Sequence, residues 1–322
     1  MHIDAMLDSL DGLSVGDALG QQFPVMRRSL DDLRAGELPT ERQWAWTDDT
    51  EMACSVVAEL LRNAAIDQDR LATAFARRFR PHRDYGFNTV GVLRRIGAGA
   101  HWRDAAGELF EGQGSRGNGA AMRVAPLGAC FAGDPARIIT EAARSAEITH
   151  AHPEGIAGAV AVALAAGLAA HTRGTGVRPA PAEFVTAIVD RLADSETTRL
   201  IRRAGSMLGV SAAEAAHELG NGSLVTAQNT VPFTIWVAAT TLDDYPEAIT
   251  TCIAADGDID TTGAITGGIV AAHTGTGPGR AGAVPQPWLT AREPLPQWFD
   301  PARRPPRPNA FARIRRRLSG GS

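Results

Sequence analysis

The chain has 322 residues, 44% of them hydrophobic but only 6% aromatic, and a formal net charge of −4. This mild acidity gives no reason to expect nucleic acid as a general partner. Cys54, Cys130 and Cys252 are isolated in apolar runs, no signal segment is evident, and the longest apolar run, 156–170, is short for a membrane span. We therefore expect reduced cysteines and a soluble, cytoplasmic protein that does not enter a membrane.

Helical periodicity recurs through most of the chain, and Ala-rich, Tyr-poor segments favour packed helices over sheets. No alternating pattern predicts a strand. Gly, Pro or Asn punctuates most joins between the predicted helices. These helices cover about 3–19, 49–64, 68–79, 88–97, 119–131, 135–147, 153–172, 181–193, 197–207, 211–218, 228–242, 245–255 and 260–273.

We predict one compact all-α domain over residues 1–275, monomeric by default, followed by a Pro/Gly-rich C-terminal arm and an Arg-rich tail over 276–322. An irregular arm and a solvated charge run are the simplest interpretation of that composition. Trp288, Trp298 and Phe299 indicate that part of the arm packs back on the body.

The first predicted helix contains the polar motif Gly-Asp-Ala-Leu-Gly at 16–20. Two glycines in a helix cost roughly 1 kcal/mol each relative to alanine. Close packing against another backbone, or the start of a loop, would explain them. Asp17 is a candidate to orient a metal ligand or to contact the ligand itself.

Two acidic clusters, each just ahead of a predicted helix, are the clearest chemical signal. They read Thr-Asp-Asp-Thr-Glu at 47–51 and Asp-Gly-Asp-Ile-Asp-Thr-Thr at 256–262. Such oxygen ligands suit hard cations, Mg²⁺ or Mn²⁺. Simple helix capping is the alternative, because Thr and Asp are favoured caps. A cap needs only one oxygen, however, and close like charges are costly without a cation, so the two clusters together favour a metal site.

A glycine-rich loop at 112–119 runs into an Ala-rich segment and is a candidate phosphate site, because glycine lets backbone N–H groups approach an anion. A surface turn is the alternative, and the loop matches neither a Walker nor a Rossmann motif. His150 and His152 lack a third soft ligand for zinc. A hydrogen-bonding role facing the ligand is the better interpretation of His150.

Taken together, these segments resemble the ADP-ribosylglycohydrolase family. The matching motifs are Gly-Asp-Ala-Leu-Gly at 16–20, Thr-Asp-Asp-Thr at 47–50, Gly-Asn-Gly at 117–119 with Ala-Met-Arg at 121–123, Thr-His at 149–150, and Asp-Ile-Asp-Thr-Thr-Gly-Ala-Ile at 258–265.

The resemblance implies an all-α fold with a dinuclear Mg²⁺ (or Mn²⁺) cleft, Asp260 being the best candidate to bridge both ions. It implies that the loop holds the diphosphate and ribose of the ligand and that His150 lines the cleft. The implied metal ligands are Thr47, Asp48, Asp49, Asp258, Asp260 and Thr261. The implied ligand-binding residues are Asp17, Gly117, Asn118, Gly119, Met122 and His150.

One departure from the family concerns its first motif. Many members carry a glutamate four residues after the second glycine, where this chain has Pro24. Gln21 and Gln22 can position a water or a ribose hydroxyl but cannot exchange a proton at neutral pH. The candidate catalytic groups are therefore Asp48 or Asp49 as base, with Gln22 beside them.

The expected function is a Mg²⁺-dependent hydrolase of the glycosidic bond between ADP-ribose and a protein side chain or small acceptor. The alternative is a catalytically impaired sensor of ADP-ribose or a nucleotide that retains the metal site. Linkages to arginine, serine, an acetyl group and nucleic acid all stay open, because they present the same ADP-ribose half.

Overall fold

The computed structural model describes residues 1–25, 29–34, 43–277 and 279–303, and the elements in this part are helical. Only two isolated β-bridges occur there, Trp44 with Arg292 and Gly117 with Thr226. The predicted all-α class is confirmed. The helices are α1 (Ile3–Gln22), α2 (Leu30–Arg34), α3 (Asp48–Asn63), α4 (Gln68–Arg78), α5 (Phe87–Gly97), α6 (Trp102–Gly107), α7 (Leu109–Gly112), α8 (Ala125–Cys130), α9 (Pro135–Glu147), α10 (Pro153–Thr175), α11 (Pro181–Val189), α12 (Glu196–Ser206), α13 (Ala212–Leu219), α14 (Ala227–Thr240), α15 (Tyr245–Ala254), α16 (Ile259–Thr274) and α17 (Gln286–Ala291).

The helix predicted at 119–131 is not continuous, so that prediction was wrong in part. A 3₁₀ turn, Asn118–Ala120, is followed by a break and then by α8. Pro126 lies in the first turn of α8. Proline has no N–H to donate to a preceding turn, so it is accommodated in the first turn of a helix and favours a new helix start there.

The closest helix pairing joins α1 to α16 through glycines. A Cβ added to Gly16 would stand 2.1 Å from the Gly263 carbonyl oxygen, and one added to Gly20 would stand 2.7 Å from the Asp260 Cα. Only glycine permits this approach, which confirms the close packing predicted for the first motif. The contact sets the start of α16 against the end of α1.

The apolar helix α10 lies in the core. It is long and apolar enough, by length and composition alone, to cross a membrane, and 78% of its most apolar stretch is buried inside the protein. Such burial is typical of the core helix of a globular protein. Cys54, Cys130 and Cys252 are free and buried, as predicted.

The C-terminal segment packs on the body, as its aromatic residues predicted. Trp288 is 3% exposed and its ring lies 6.4 Å from that of Trp44 and 6.1 Å from that of Tyr245. Trp46 Nε1 donates to the Pro294 carbonyl at 3.2 Å. The C-terminal segment therefore supports the stretch of chain at 44–47 that leads into α3. The predicted Arg-rich tail lies outside the described residues.

Candidate active site

The N-terminus of α3 is held in place by Asp17 of α1. The Asp17 carboxylate accepts hydrogen bonds from the backbone N–H of Thr47 at 3.0 Å and of Thr50 at 3.1 Å, and from both threonine hydroxyls, at 2.9 and 2.5 Å. The Thr47 side chain also caps α3, since it accepts from Asp49 N–H at 3.4 Å. Helix capping thus explains Thr47, but it does not account for the side chains of Asp48 and Asp49.

The second acidic cluster is not explained by capping. Asp258 occupies the N-cap position of α16 but makes no side-chain cap hydrogen bond. Its carboxylate instead accepts from the Asn118 side-chain amide at 2.6 Å, and the same amide donates to Thr230 Oγ1 at 3.0 Å. Asn118, predicted to hold the ligand, therefore also positions Asp258.

The carboxylates of the two clusters share one electrostatic environment. Burial raises the pKa of Asp48 and of Asp49 well above the usual range, and the charges of Asp17 and Asp260 raise both further. Burial likewise raises the pKa of Asp260, with the charge of Asp258 as the next cause. So much like charge in a buried place favours protonation or a bound cation.

The carboxylate and hydroxyl oxygens of the two acidic clusters are chemically suited to hard divalent cations. Asp49 Oδ2 is buried and has no hydrogen-bond partner, and Asp49 and Thr261 line the same cavity. Within the described ranges, no three His, Cys, Asp or Glu side chains are already gathered as an ion would hold them. The aspartates of the two clusters therefore provide oxygens of the kind that would suit such an ion.

The glycine-rich loop packs on the segment that carries His150. A Cβ added to Gly117 would stand 3.1 Å from His150 Nε2, and one added to Gly119 would stand 3.0 Å from Cε1. His150 is 4% exposed, and burial with the nearby Arg123 charge lowers its pKa to about 3. The imidazole is therefore neutral and lies directly under the loop.

These elements surround a cleft of about 810 Å³, within the range of volumes that bind small ligands. Asp17 and Thr47 are buried and do not line it. Gln22, predicted as catalytic, does not line it either, whereas Gln21 does. The predicted residues that line it are Asp48, Asp49, Gly117, Asn118, Gly119, Met122, His150, Asp258, Asp260 and Thr261.

Sequence reasoning missed a carboxylate at the cleft edge. Asp84 lines the cleft, accepts a hydrogen bond from Gln21 Nε2 at 3.1 Å, and adds to the charge that raises the pKa of Asp48. Its φ is +64°, a left-handed conformation that aspartate tolerates better than most residues. A lone Asp in a loop gives no signal of this in the sequence.

An apolar rim at the mouth of the cleft was missed as well. Phe87 is 91% exposed, Phe110 55%, Leu224 69% and Val225 55%, and all four line the cleft. Phe110 and Val225 both have positive φ. Exposed hydrophobic side chains gathered at one mouth indicate a surface for an aromatic or apolar part of a ligand.

The sequence model of the ADP-ribosylglycohydrolase family matches residues 2–313. The chain belongs to this family. An ADP-ribosylhydrolase ARH3 of Xenopus tropicalis is 31% identical over 310 residues, covering 83% of this chain and 86% of the relative. The human ADP-ribosylhydrolase ARH3 is 30% identical over 286 residues, covering 77% of this chain and 74% of the relative. A solved structure described as an ADP-ribosylglycohydrolase-related protein complex aligns with a TM-score of 0.60 and 25% identity, covering 91% of this chain and 93% of the other.

The resemblance expected from the motifs is thus confirmed, and the chain is a glycohydrolase. The relatives are named ADP-ribosylhydrolases, and the family supports hydrolysis of ADP-ribose linkages. Four of the five motifs that carry the resemblance contribute residues to the cleft lining, and Asp17 of the first motif hydrogen-bonds to Thr47 and Thr50 of the second.

Proposed function

We propose that this ADP-ribosylglycohydrolase uses Mg²⁺ to cleave the glycosidic bond between ADP-ribose and a protein side chain or small acceptor. The observation that carries the proposal is the meeting of both acidic clusters and the glycine-rich loop in one cleft. Oxygen ligands, a phosphate-binding loop and an apolar rim correspond in turn to the ribose, the diphosphate and the adenine of such a substrate.

The diphosphate fits beside the loop at 114–119, where glycine allows close approach of the backbone. His150 lies under this loop as a neutral side chain. The rim at Phe87 and Phe110 gives exposed aromatic faces on which a purine base can stack. The distal ribose then extends toward the carboxylates.

At that end, the residues that would hold the ions are Asp48, Asp49, Asp258, Asp260 and Thr261. Thr47 is the N-cap of α3, directly before Asp48. Bound Mg²⁺ would supply positive charge that orients ribose hydroxyls and makes a water more acidic. Asp17 accepts hydrogen bonds from Thr47 and Thr50, which flank Asp48 and Asp49, and Asn118 donates to Asp258. The chain thus orients the carboxylates of both clusters through its own hydrogen bonds.

Asp84 supplies the carboxylate that the first motif lacks. Pro24 has no proton to exchange, and Gln21 donates to Asp84 rather than replacing its charge. Cleavage at the anomeric carbon passes through an oxocarbenium-like transition state, and an exposed carboxylate beside it can stabilise positive charge or move a proton. This arrangement favours a hydrolase over the alternative of an impaired sensor.

The test is release of free ADP-ribose from substrates linked through arginine, serine, an acetyl group and nucleic acid, with Mg²⁺ and with EDTA. Asp260→Asn serves as the inactive variant, and ADP-ribose affinity is measured in parallel. We expect Mg²⁺-dependent release from one linkage, which would name the acceptor class.

Binding of ADP-ribose with release from no linkage would contradict the proposed hydrolase and favour the sensor. Release that is equal in EDTA and Mg²⁺ would contradict the metal dependence alone. If ADP-ribose is neither bound nor released, the cleft serves another ligand.

A further inference from the structure

A fully buried arginine stands behind His150 and has no role in the function described so far. Arg123 is 0% exposed, and within the described residues no carboxylate pairs with it. Its guanidinium donates to the carbonyl oxygens of Gly119 at 3.1 Å and Ser145 at 2.8 Å, and stands 4.7 Å from the Phe75 ring centre. Burying such a charge costs free energy, so its retention here calls for a specific use.

The guanidinium reaches His150 through one hydroxyl. Arg123 Nη2 donates to Thr149 Oγ1 at 2.9 Å, and Thr149 Oγ1 lies 2.8 Å from His150 Nδ1. Arginine has no acceptor, so Thr149 must accept from it. The hydroxyl proton of Thr149 is then available for the imidazole.

Counting donors decides which nitrogen of His150 is protonated. If Nδ1 carried a proton, Thr149 Oγ1 would receive two donors, and its own buried proton would lack the acceptor that His150 now offers. Buried polar groups are seldom left unpaired, so the hydroxyl donates to Nδ1. In a neutral imidazole the remaining proton is therefore on Nε2.

The Nε2 atom is the one that faces the loop, 3.1 Å from the place of a Cβ at Gly117. We propose that Arg123, acting through Thr149, fixes His150 as the neutral Nε2–H tautomer, a hydrogen-bond donor to a phosphate oxygen of the substrate. Arg123 and Thr149 are positioning residues, and His150 binds without transferring a proton. The inference rests on the proposed function only for the identity of the ligand.

The tautomer is measured on the full-length, metal-free protein with ¹⁵N-labelled histidine, by long-range ¹H–¹⁵N correlation. His150→Gln identifies the signal of His150. We expect Nε2–H in the wild type and in Thr149→Ser, which keeps the hydroxyl. Thr149→Val has nearly the same shape without the hydroxyl, and there we expect a mixture containing Nδ1–H.

Affinity for ADP-ribose provides the second readout. We expect Thr149→Val to weaken binding about tenfold and Thr149→Ser to leave it within about twofold of the wild type. An Nδ1–H tautomer in the wild type would overturn the inference, and so would identical tautomers in the two Thr149 variants.

Two experimental failures would still leave the tautomer of His150 measurable. If Thr149→Val does not fold, the spectra of the wild type and Thr149→Ser still give the tautomer. If the protein binds no ADP-ribose, the proposed function fails. The tautomer of His150 still tests the hydrogen-bond chain from Arg123 through Thr149 to His150 by itself.

Discussion

The side-chain amide of Asn118 donates a 2.6 Å hydrogen bond to the carboxylate of Asp258, across 140 positions of the sequence. This one contact joins the glycine-rich loop to the second acidic cluster. The loop that we propose binds phosphate is therefore in direct contact with a carboxylate that we propose binds a cation.

Replacing Asn118 by Ala should weaken Mg²⁺ or Mn²⁺ binding by about 10- to 100-fold, because residues that orient metal ligands typically have effects of that size. Calorimetric titration of the metal measures this. Asn88→Ala is the matched control, since Asn88 lines the same cleft but is exposed. Equal metal affinity in Asn118→Ala and the wild type would show that the contact does not support the site.

Replacing Asp84 by Asn should lower kcat by about 10²- to 10⁴-fold with a smaller effect on ADP-ribose affinity, because it removes a charge needed in the transition state. Asparagine also tolerates the left-handed backbone there, so the fold should persist. Steady-state kinetics and binding separate the two effects.

The matched control for Asp84 is Asp256→Asn. Asp256 also has positive φ, +59°, and is exposed, but it does not line the cleft. We expect near-wild-type kinetics from it. A full loss of affinity in Asp84→Asn, in parallel with kcat, would assign Asp84 to ground-state binding instead.

Asp17 makes stability depend on pH in the absence of metal. Burial raises its pKa from 3.8 to about 6, even though hydrogen bonds from Thr50 and Thr47 lower it. The folded state then binds more protons than the unfolded state between these values, so the stability contributed by Asp17 is present below about pH 4 and is lost as pH rises through about 6.

We expect the advantage of the wild type over Asp17→Asn, measured by urea unfolding in EDTA, to shrink by about 1–3 kcal/mol between pH 4 and pH 7. Mg²⁺ should oppose this loss, because bound cations favour the ionised carboxylates. An advantage that grows with pH would mean that the threonine hydrogen bonds keep Asp17 ionised.

Arg83 ties the C-terminal segment to the start of α3. Its guanidinium binds both oxygens of Glu293 at 2.8 and 2.9 Å, donates to the Trp46 carbonyl at 2.8 Å, and stacks 3.3 Å from the Trp46 ring centre. The Arg83 carbonyl in turn accepts from Asp48 N–H at 2.7 Å.

We therefore expect Arg83→Met to destabilise the protein by about 2–3 kcal/mol and to weaken metal binding. Arg95→Met is the control, because its ion pair with Glu108 is exposed and should contribute less than about 1 kcal/mol. Denaturant unfolding compares the two variants. Equal losses would show that Arg83 acts as an ordinary surface arginine.

Local patterns predicted much of this molecule. The helical periodicity predicted the all-α fold class and most helix positions. The clusters at 47–51 and 256–262 contain aspartates that line one cleft, as their composition predicted. These signals are contained in short stretches of sequence, where spacing and residue type suffice.

What sequence reasoning missed depends on long-range packing. Gln21, rather than the predicted Gln22, lines the cleft. Its partner Asp84 is 63 positions away in a loop and has positive φ. The role of Asn118 in holding Asp258 was likewise invisible. Neither contact follows from a local period, because each depends on how distant segments dock.

The most direct test of the account is the dependence of ADP-ribose release on Mg²⁺ for the wild type, Asp260→Asn and the control Asp256→Asn. We predict that release saturates with Mg²⁺ in the wild type and the control, and that Asp260→Asn remains folded but nearly inactive at every concentration. Release by Asp260→Asn at the wild-type rate would contradict the claim that the two acidic clusters form the active site.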